Sequence, residues 1–149
     1  VLFRSSFGKQ VYLFNNLESL REKVIALGST PMILQEMIMN SFGRDIRINV
    51  VGGKIVASIL RHNESGDFRS NITLGGSMEP YTPTDGETQL ALRAVSVLGL
   101  AFAGVDVLFG ENGPLICEVN SNAHFKSTLK CTGVNMADTI FEYIKQQLG

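Results

Sequence analysis

The chain has 149 residues, 44% of them hydrophobic and 18% charged, enough for a packed core and too apolar for a disordered chain. A net charge of −1 excludes a general affinity for nucleic acid or anionic membrane, no apolar run reaches membrane-spanning length, and nothing resembles a signal peptide. The two cysteines, Cys117 and Cys131, are too few for a disulfide framework and lack metal-ligand spacing, which points to a cytoplasmic protein.

The first residues, VLFRSSFGKQVYLF, start inside strand-like sequence without an initiator Met and read as part of something longer. Residues 11–14 (VYLF) form a short strand candidate, with Asn15-Asn16 as a helix cap. LESLREKVIAL predicts a helix with Leu17, Leu20, Val24 and Leu27 on one stripe and Gly28 as its stop. MILQEMI predicts a strand. DIRINVVGGKIVASIL predicts a hairpin about Gly52-Gly53. A Thr84-x-x-Glu87 capping box opens a helix that runs to Leu98. A second apolar hairpin spans residues 104–120, with Cys117 as a small apolar residue in mid-strand, and NMADTIFEYIKQQL predicts a closing amphipathic helix. Mixed helices and antiparallel hairpins give an α+β class, with Ile46, Ile48, Val50, Val107, Leu115 and Val119 as core candidates.

Facing Val51 with Lys54 places Ile46, Ile48 and Val50 on one face with Ile55, Ala57 and Ile59. The other face then carries Asp45, Arg47 and Asn49 beside Lys54, Val56, Ser58 and Leu60.

In the second hairpin, Glu118 and Asn120 stand two apart on a strand and project to one face. A three-residue loop, Glu111-Asn112-Gly113, pairs Gly110 with Pro114 and so sets Asp106 opposite Glu118. A two-residue loop would put the two carboxylates on opposite faces. Opposed carboxylates repel, and with an amide oxygen they form a hard-oxygen set suited to magnesium or manganese. A wet strand end accounts for Glu118 and Asn120 as well. A second cluster, RHNESGDFRSN at 61–71, holds Arg61, Arg69 and Asn71 around Gly66, the residue types that grip phosphate oxygens or line a solvated loop. A third, SSFGKQV at 5–11, has the length of a phosphate-covering loop but a single glycine.

Taken in order, QEMI, GRDIRINVVGGKIVASILRHNESGDFRSNITLGGS, LALRAVSVLGLAFAGVDVL and GPLICEVNSN resemble the ATP-grasp ligases, and within them the RimK-like branch, from about Ile33 to the end. The resemblance implies an ATP-grasp fold, truncated at its N-terminus here, with residues 1–40 left from a lid subdomain and 41–149 as the ATP- and Mg-binding subdomain. It places the adenine hinge at Glu36, Met37 and Ile38, a ribose contact at Asp45, and ATP and phosphate contacts at Arg69 and Asn71. It places the metal ligands at Asp106, Glu118 and Asn120. Arg47, Arg61 and Arg69 take catalytic positions toward phosphate or the acceptor carboxylate.

There are departures. The Lys that relatives carry before the covering loop has no counterpart near Val1, where Arg4 is the nearest cation. After EVN the chain reads SNAHFKS where many relatives have a Ser-Pro-Gly turn, and His124 falls in that stretch. The implied reaction joins a carboxylate to an amine, glutamate or another amino acid, through an acyl phosphate, with ATP and Mg2+ or Mn2+. The acceptor would be a small molecule or a protein. No nucleic-acid or membrane partner is implied, self-association is expected through apolar surface, and the 149 residues alone are expected to lack turnover. A glutathione or D-alanine ligase relative would differ in acceptor, and a non-catalytic nucleotide-binding module is the rival from another class.

Overall fold

The computed structural model describes residues 11–64, 66–70 and 76–149. The chain divides into two compact units, Val1–Met37 and Ile38–Gly149.

The first unit holds helix α1 (Leu17–Leu27), capped by the Asn16 side chain, which accepts from the Ser19 backbone N–H at 2.9 Å, and closed by Gly28. The helix has no buried residue, and Leu17 of the expected stripe is 74% exposed. The strands expected at 11–14 and in MILQEMI are isolated bridge residues at Val11 and Ile33. Without a ladder of partners among the described residues, apolar content alone does not make a strand.

The second unit is a five-stranded antiparallel sheet in the order β3-β2-β1-β4-β5. Its strands are β1 (Arg44–Val51), β2 (Lys54–His62), β3 (Ser77–Pro80), β4 (Phe102–Gly110) and β5 (Gly113–Asn120). Helix α2 (Asp85–Val97) begins at the expected capping box, where Thr84 and Glu87 bond reciprocally. It covers one face, packing Ala91 and Val95 on Ile46, Ile48, Val50, Ala103, Val105 and Val107. Helices α3 (Lys126–Thr132) and α4 (Met136–Leu148) lie on the opposite face at the Gly52-Gly53 end, where Met136 closes over Val51 and Ala57. The far end of that face is left to polar side chains.

Both hairpins turn on two residues and then take up one extra residue. Gly52 and Gly53 have φ of +56° and +73°, the left-handed pair that a type I′ turn requires. The ladder starts at Val51–Lys54 and Val50–Ile55 and resumes at Asn49–Ala57, so Val56 is a bulge. The expected register therefore fails beyond Val50. Arg61, not Leu60, stands opposite Asp45, and Ile59 faces Arg47 instead of the α2 core.

The second hairpin corrects its expected route while keeping its result. Gly110 pairs with Gly113 across a two-residue turn, and Val107 pairs with Ile116, but Asp106 pairs with Glu118. Cys117 is the extra residue. Its bulge reverses the faces on either side, so Ile116 joins the α2 core and Leu115, expected there, is 44% exposed. Ile46, Ile48, Val50 and Val107 are fully buried as expected, and Val119 packs against them.

Candidate functional site

The two bulges bring five charged side chains to one end of the face opposite α2. Asp45 and Arg47 alternate along β1, Arg61 stands across from Asp45, Asp106 across from Arg47, and Glu118 across from Asp106. Arg47 grips Asp106 through two bonds, Nε to Oδ1 at 2.7 Å and Nη2 to Oδ2 at 2.6 Å. Its Nη2 also lies 3.7 Å from Glu118 Oε1. Arg61 holds Asp45 in the same forked way, at 2.7 and 2.5 Å, and reaches Asp106 Oδ2 at 2.9 Å. Ser70 adds a side-chain hydrogen bond to Asp45.

Burial makes these pairings necessary. Asp45, Arg61 and Asp106 are each at least 92% buried, where an unpaired charge is costly. Burial alone would raise the Asp106 carboxyl, but the bonds and charges of Arg47 and Arg61 hold it below the usual range. Burial raises Asp45 against the pull of Arg61. Burial and then the neighbouring Asp106 raise Glu118, whose side chain is 55% exposed. Burial and the same carboxylates push the Cys117 thiol up to about 11. Two arginines against three carboxylates leave one surplus negative charge, which falls on the most exposed member, Glu118.

Next to this cluster the chain after β5 folds back over the sheet. Gly104 pairs with Asn120, and a Cβ on Gly104 would lie 2.6 Å from the Ala123 Cβ and 3.7 Å from the Arg47 Cδ. Asn49, on the same face as Arg47, donates to Thr128 Oγ1 of α3 at 3.3 Å, both residues being almost wholly buried. The SNAHF segment is thereby held beside Arg47 and Asn120, with His124 exposed within it. Asn120 Oδ1 accepts from the Asn122 backbone N–H at 3.0 Å.

The sequence-derived residues divide accordingly. Asp45, Arg47, Arg61, Asp106 and Glu118 converge, and Asn120 lies two residues further along β5, opposite Gly104. Arg69 lies in the loop after β2, bonded to Asp67 through Nε at 2.9 Å and Nη2 at 2.6 Å, with its guanidinium over the Phe68 ring. Gly43 N donates to Phe68 O at 2.9 Å, tying that loop to the start of β1. Asn71 and residues 5–10 of the expected covering loop lie outside the described residues, as do Val1 and Arg4. Glu36 and Met37 belong to the first unit and Ile38 to the second. Sequence reasoning missed Asp67, Ser70, Asn49 and Thr128. Asp67 carried a readable signal, an acidic residue two positions before an arginine in a turn.

A model of the RimK-like ATP-grasp domain matches residues 2–144. The chain belongs to the RimK-like ATP-grasp family. It is 44% identical over 131 residues to a probable alpha-L-glutamate ligase 1 of Shewanella sp. (strain ANA-3), covering 88% of this chain and 43% of that protein. It is 43% identical over 129 residues to a probable alpha-L-glutamate ligase 2 of Shewanella amazonensis, covering 87% of this chain and 42% of that protein. The chain thus spans less than half the length of these curated relatives. In structure it is similar to the ATP-grasp ligase PsnB complexed with a precursor variant, Mg and ADP, at a TM-score of 0.58 and 19% identity over 72% of this chain and 33% of that one. It is also similar to a D-alanine–D-alanine ligase from Bacillus anthracis complexed with ATP, at 0.57 and 17% identity over 93% of this chain and 50% of that one. These likenesses confirm the ATP-grasp fold of this RimK-like chain.

The family implies a magnesium ion, and the donors fit one. Among the described residues no three His, Cys, Asp or Glu side chains form a metal-holding group. Asp106 and its partner Glu118, with the Asn120 amide oxygen further along β5, are hard oxygen donors of the kind that suits a cation keeping several waters.

Proposed function

We propose that the protein is an ATP-dependent carboxylate–amine ligase that adds an amino acid, glutamate foremost, to a small-molecule or protein carboxylate. The observation that carries this reading is the arrangement of Asp106 and Glu118 as cross-strand partners with Arg47 paired to Asp106 on its other side, inside a RimK-like ATP-grasp domain. The names of the Shewanella relatives support glutamate as the amine.

In this reading an oxygen of the acceptor carboxylate attacks the γ-phosphorus of ATP, the bond to the bridging oxygen breaks, and ADP leaves. The amine nitrogen then attacks the acyl carbon, the carbon–oxygen bond to phosphate breaks, and the nitrogen loses a proton to give the amide. Asp106, Glu118 and Asn120 would hold Mg2+ or Mn2+, which would neutralise charge on the phosphates. Arg47 is placed to bind transferred phosphoryl or acceptor oxygens, because its fork matches such groups. Arg61 holds Asp106 and Asp45 in place and acts on substrate through them. Arg69, with Asn71, is assigned to phosphate, Asp45 to the ribose end, and Glu36, Met37 and Ile38 to adenine. No side-chain nucleophile is needed, so the chain's own contribution is positioning and electrostatic stabilisation. We assign residues 1–40 to a lid subdomain and 41–149 to the nucleotide subdomain, and we place the protein in the cytoplasm.

A phosphate-release screen with ATP, Mg2+, glutamate and a panel of carboxylates tests this, run on the 149 residues and on the product of the complete reading frame. Release that requires both an amino acid and an acceptor supports the ligase. ATP binding without such release by either protein would favour a nucleotide-binding module.

A further inference from the structure

We infer that Arg47 is a built-in counter-ion that competes with the divalent cation, so the site takes its metal together with a polyphosphate and binds the free ion weakly. The inference rests on the metal assignment above and concerns how that site is loaded.

Two opposed carboxylates attract a cation, and a guanidinium on the neighbouring strand already holds both oxygens of one of them. Arg47 takes both oxygens of Asp106, and its Nη2 points toward Glu118 at 3.7 Å. A free cation approaching Asp106 must displace two charge-assisted hydrogen bonds and leave the part-buried Arg47 without its forked anion. A cation arriving on a polyphosphate brings the replacement anion with it. Arg47 can then turn from carboxylate to phosphate while the ion moves onto Asp106 and Glu118.

Arg61 is not the group that moves. It has its own forked partner in Asp45 and makes one further bond to Asp106. When Arg47 turns away, Asp106 keeps Arg61, Arg61 keeps Asp45, and no buried charge is stranded. Glu118, more than half exposed, gives the ion its point of entry.

The test is the affinity for Mn2+ alone, read from the free-ion electron paramagnetic resonance signal, with and without a non-hydrolysable ATP analogue. Arg47→Met should bind free Mn2+ about tenfold tighter than wild type or better, the size expected for releasing hydrogen bonds to a charged group. The analogue should then enhance Mn2+ binding less than in wild type. Arg47→Lys keeps the charge but loses the fork, so it should show a smaller gain in the same direction, and it carries the test if the Met variant fails to fold. Unchanged or weaker free Mn2+ binding in the folded Arg47 variants, with Glu118→Gln still weakening Mn2+ binding in the presence of the analogue, would overturn the inference and leave the metal assignment standing. Mn2+ binding indifferent to Glu118→Gln as well would overturn both.

Discussion

Arg47 and Asp106 are direct cross-strand partners on β1 and β4, and the guanidinium holds both oxygens of a carboxylate that is only 4% exposed. This pair, with Arg61 bonded to the same carboxylate and the half-exposed Glu118 across from it, makes one network to which we assign structural and ligand-facing roles in different members. The variants should separate those roles.

Arg61 belongs to the structural side. Arg61→Met leaves Asp45 buried without its forked partner and removes a bond from Asp106. Breaking such a buried pair costs about 3–5 kcal/mol. Urea unfolding should show that loss, whereas Arg69→Ala should stay within about 1 kcal/mol of wild type because its Asp67 pair lies in a partly exposed loop. Comparable losses in the two variants would refute the division.

Gly104 is expected to be intolerant of any side chain. The added Cβ of Gly104→Ala would meet the Ala123 Cβ at 2.6 Å, and a methyl group has no flexible end to swing aside. The loop over Arg47 must lift or the sheet must shift, at a cost of about 1–3 kcal/mol typical of overpacking. Thermal melts and Mg·ATP affinity should both fall. An unchanged melting temperature would mean that the loop is not seated on the sheet.

The Cys117 thiol should be slow to alkylate at neutral pH. Only the thiolate reacts, and burial beside Asp106 and Glu118 pushes this group up to about 11. In a Cys131→Ser background the alkylation rate should therefore keep rising as pH is raised from 7 toward 10. A plateau near pH 8.5 would show an ordinary, solvated thiol.

What the sequence revealed and what it hid follow from the same feature. The capping box at Thr84, the Gly52-Gly53 turn and the closing helix each have a local signature, and each formed where expected. The facing of Asp106 and Glu118 was legible too, although a two-residue turn plus a bulge produces it and not a three-residue loop. The bulges at Val56 and Cys117 have no such signature, since one more apolar residue in an apolar run changes nothing in the pattern. Yet they decide the site. Without the Val56 bulge, Arg61 would point to the α2 side, and without the Cys117 bulge so would Glu118. Leu115 and Ile116 exchanged roles for the same reason. β3 escaped notice because four residues ending in Pro80 carry little strand signal, and α3 because Phe125 offers no side-chain cap. The strand expected in MILQEMI rested on composition alone.

Glu118 is the residue on which the metal assignment turns. Its carboxylate is raised by burial and by the like charge of Asp106, so removing its charge relieves repulsion in the protein without ligand. Mg·ATP binding by calorimetry, beside thermal melts, compares wild type with Glu118→Gln. The account predicts that the variant loses most of its Mg·ATP affinity while its melting temperature holds or rises. Unchanged affinity, or a loss of affinity that merely follows a loss of fold, would contradict the assignment of this face as the metal–nucleotide site.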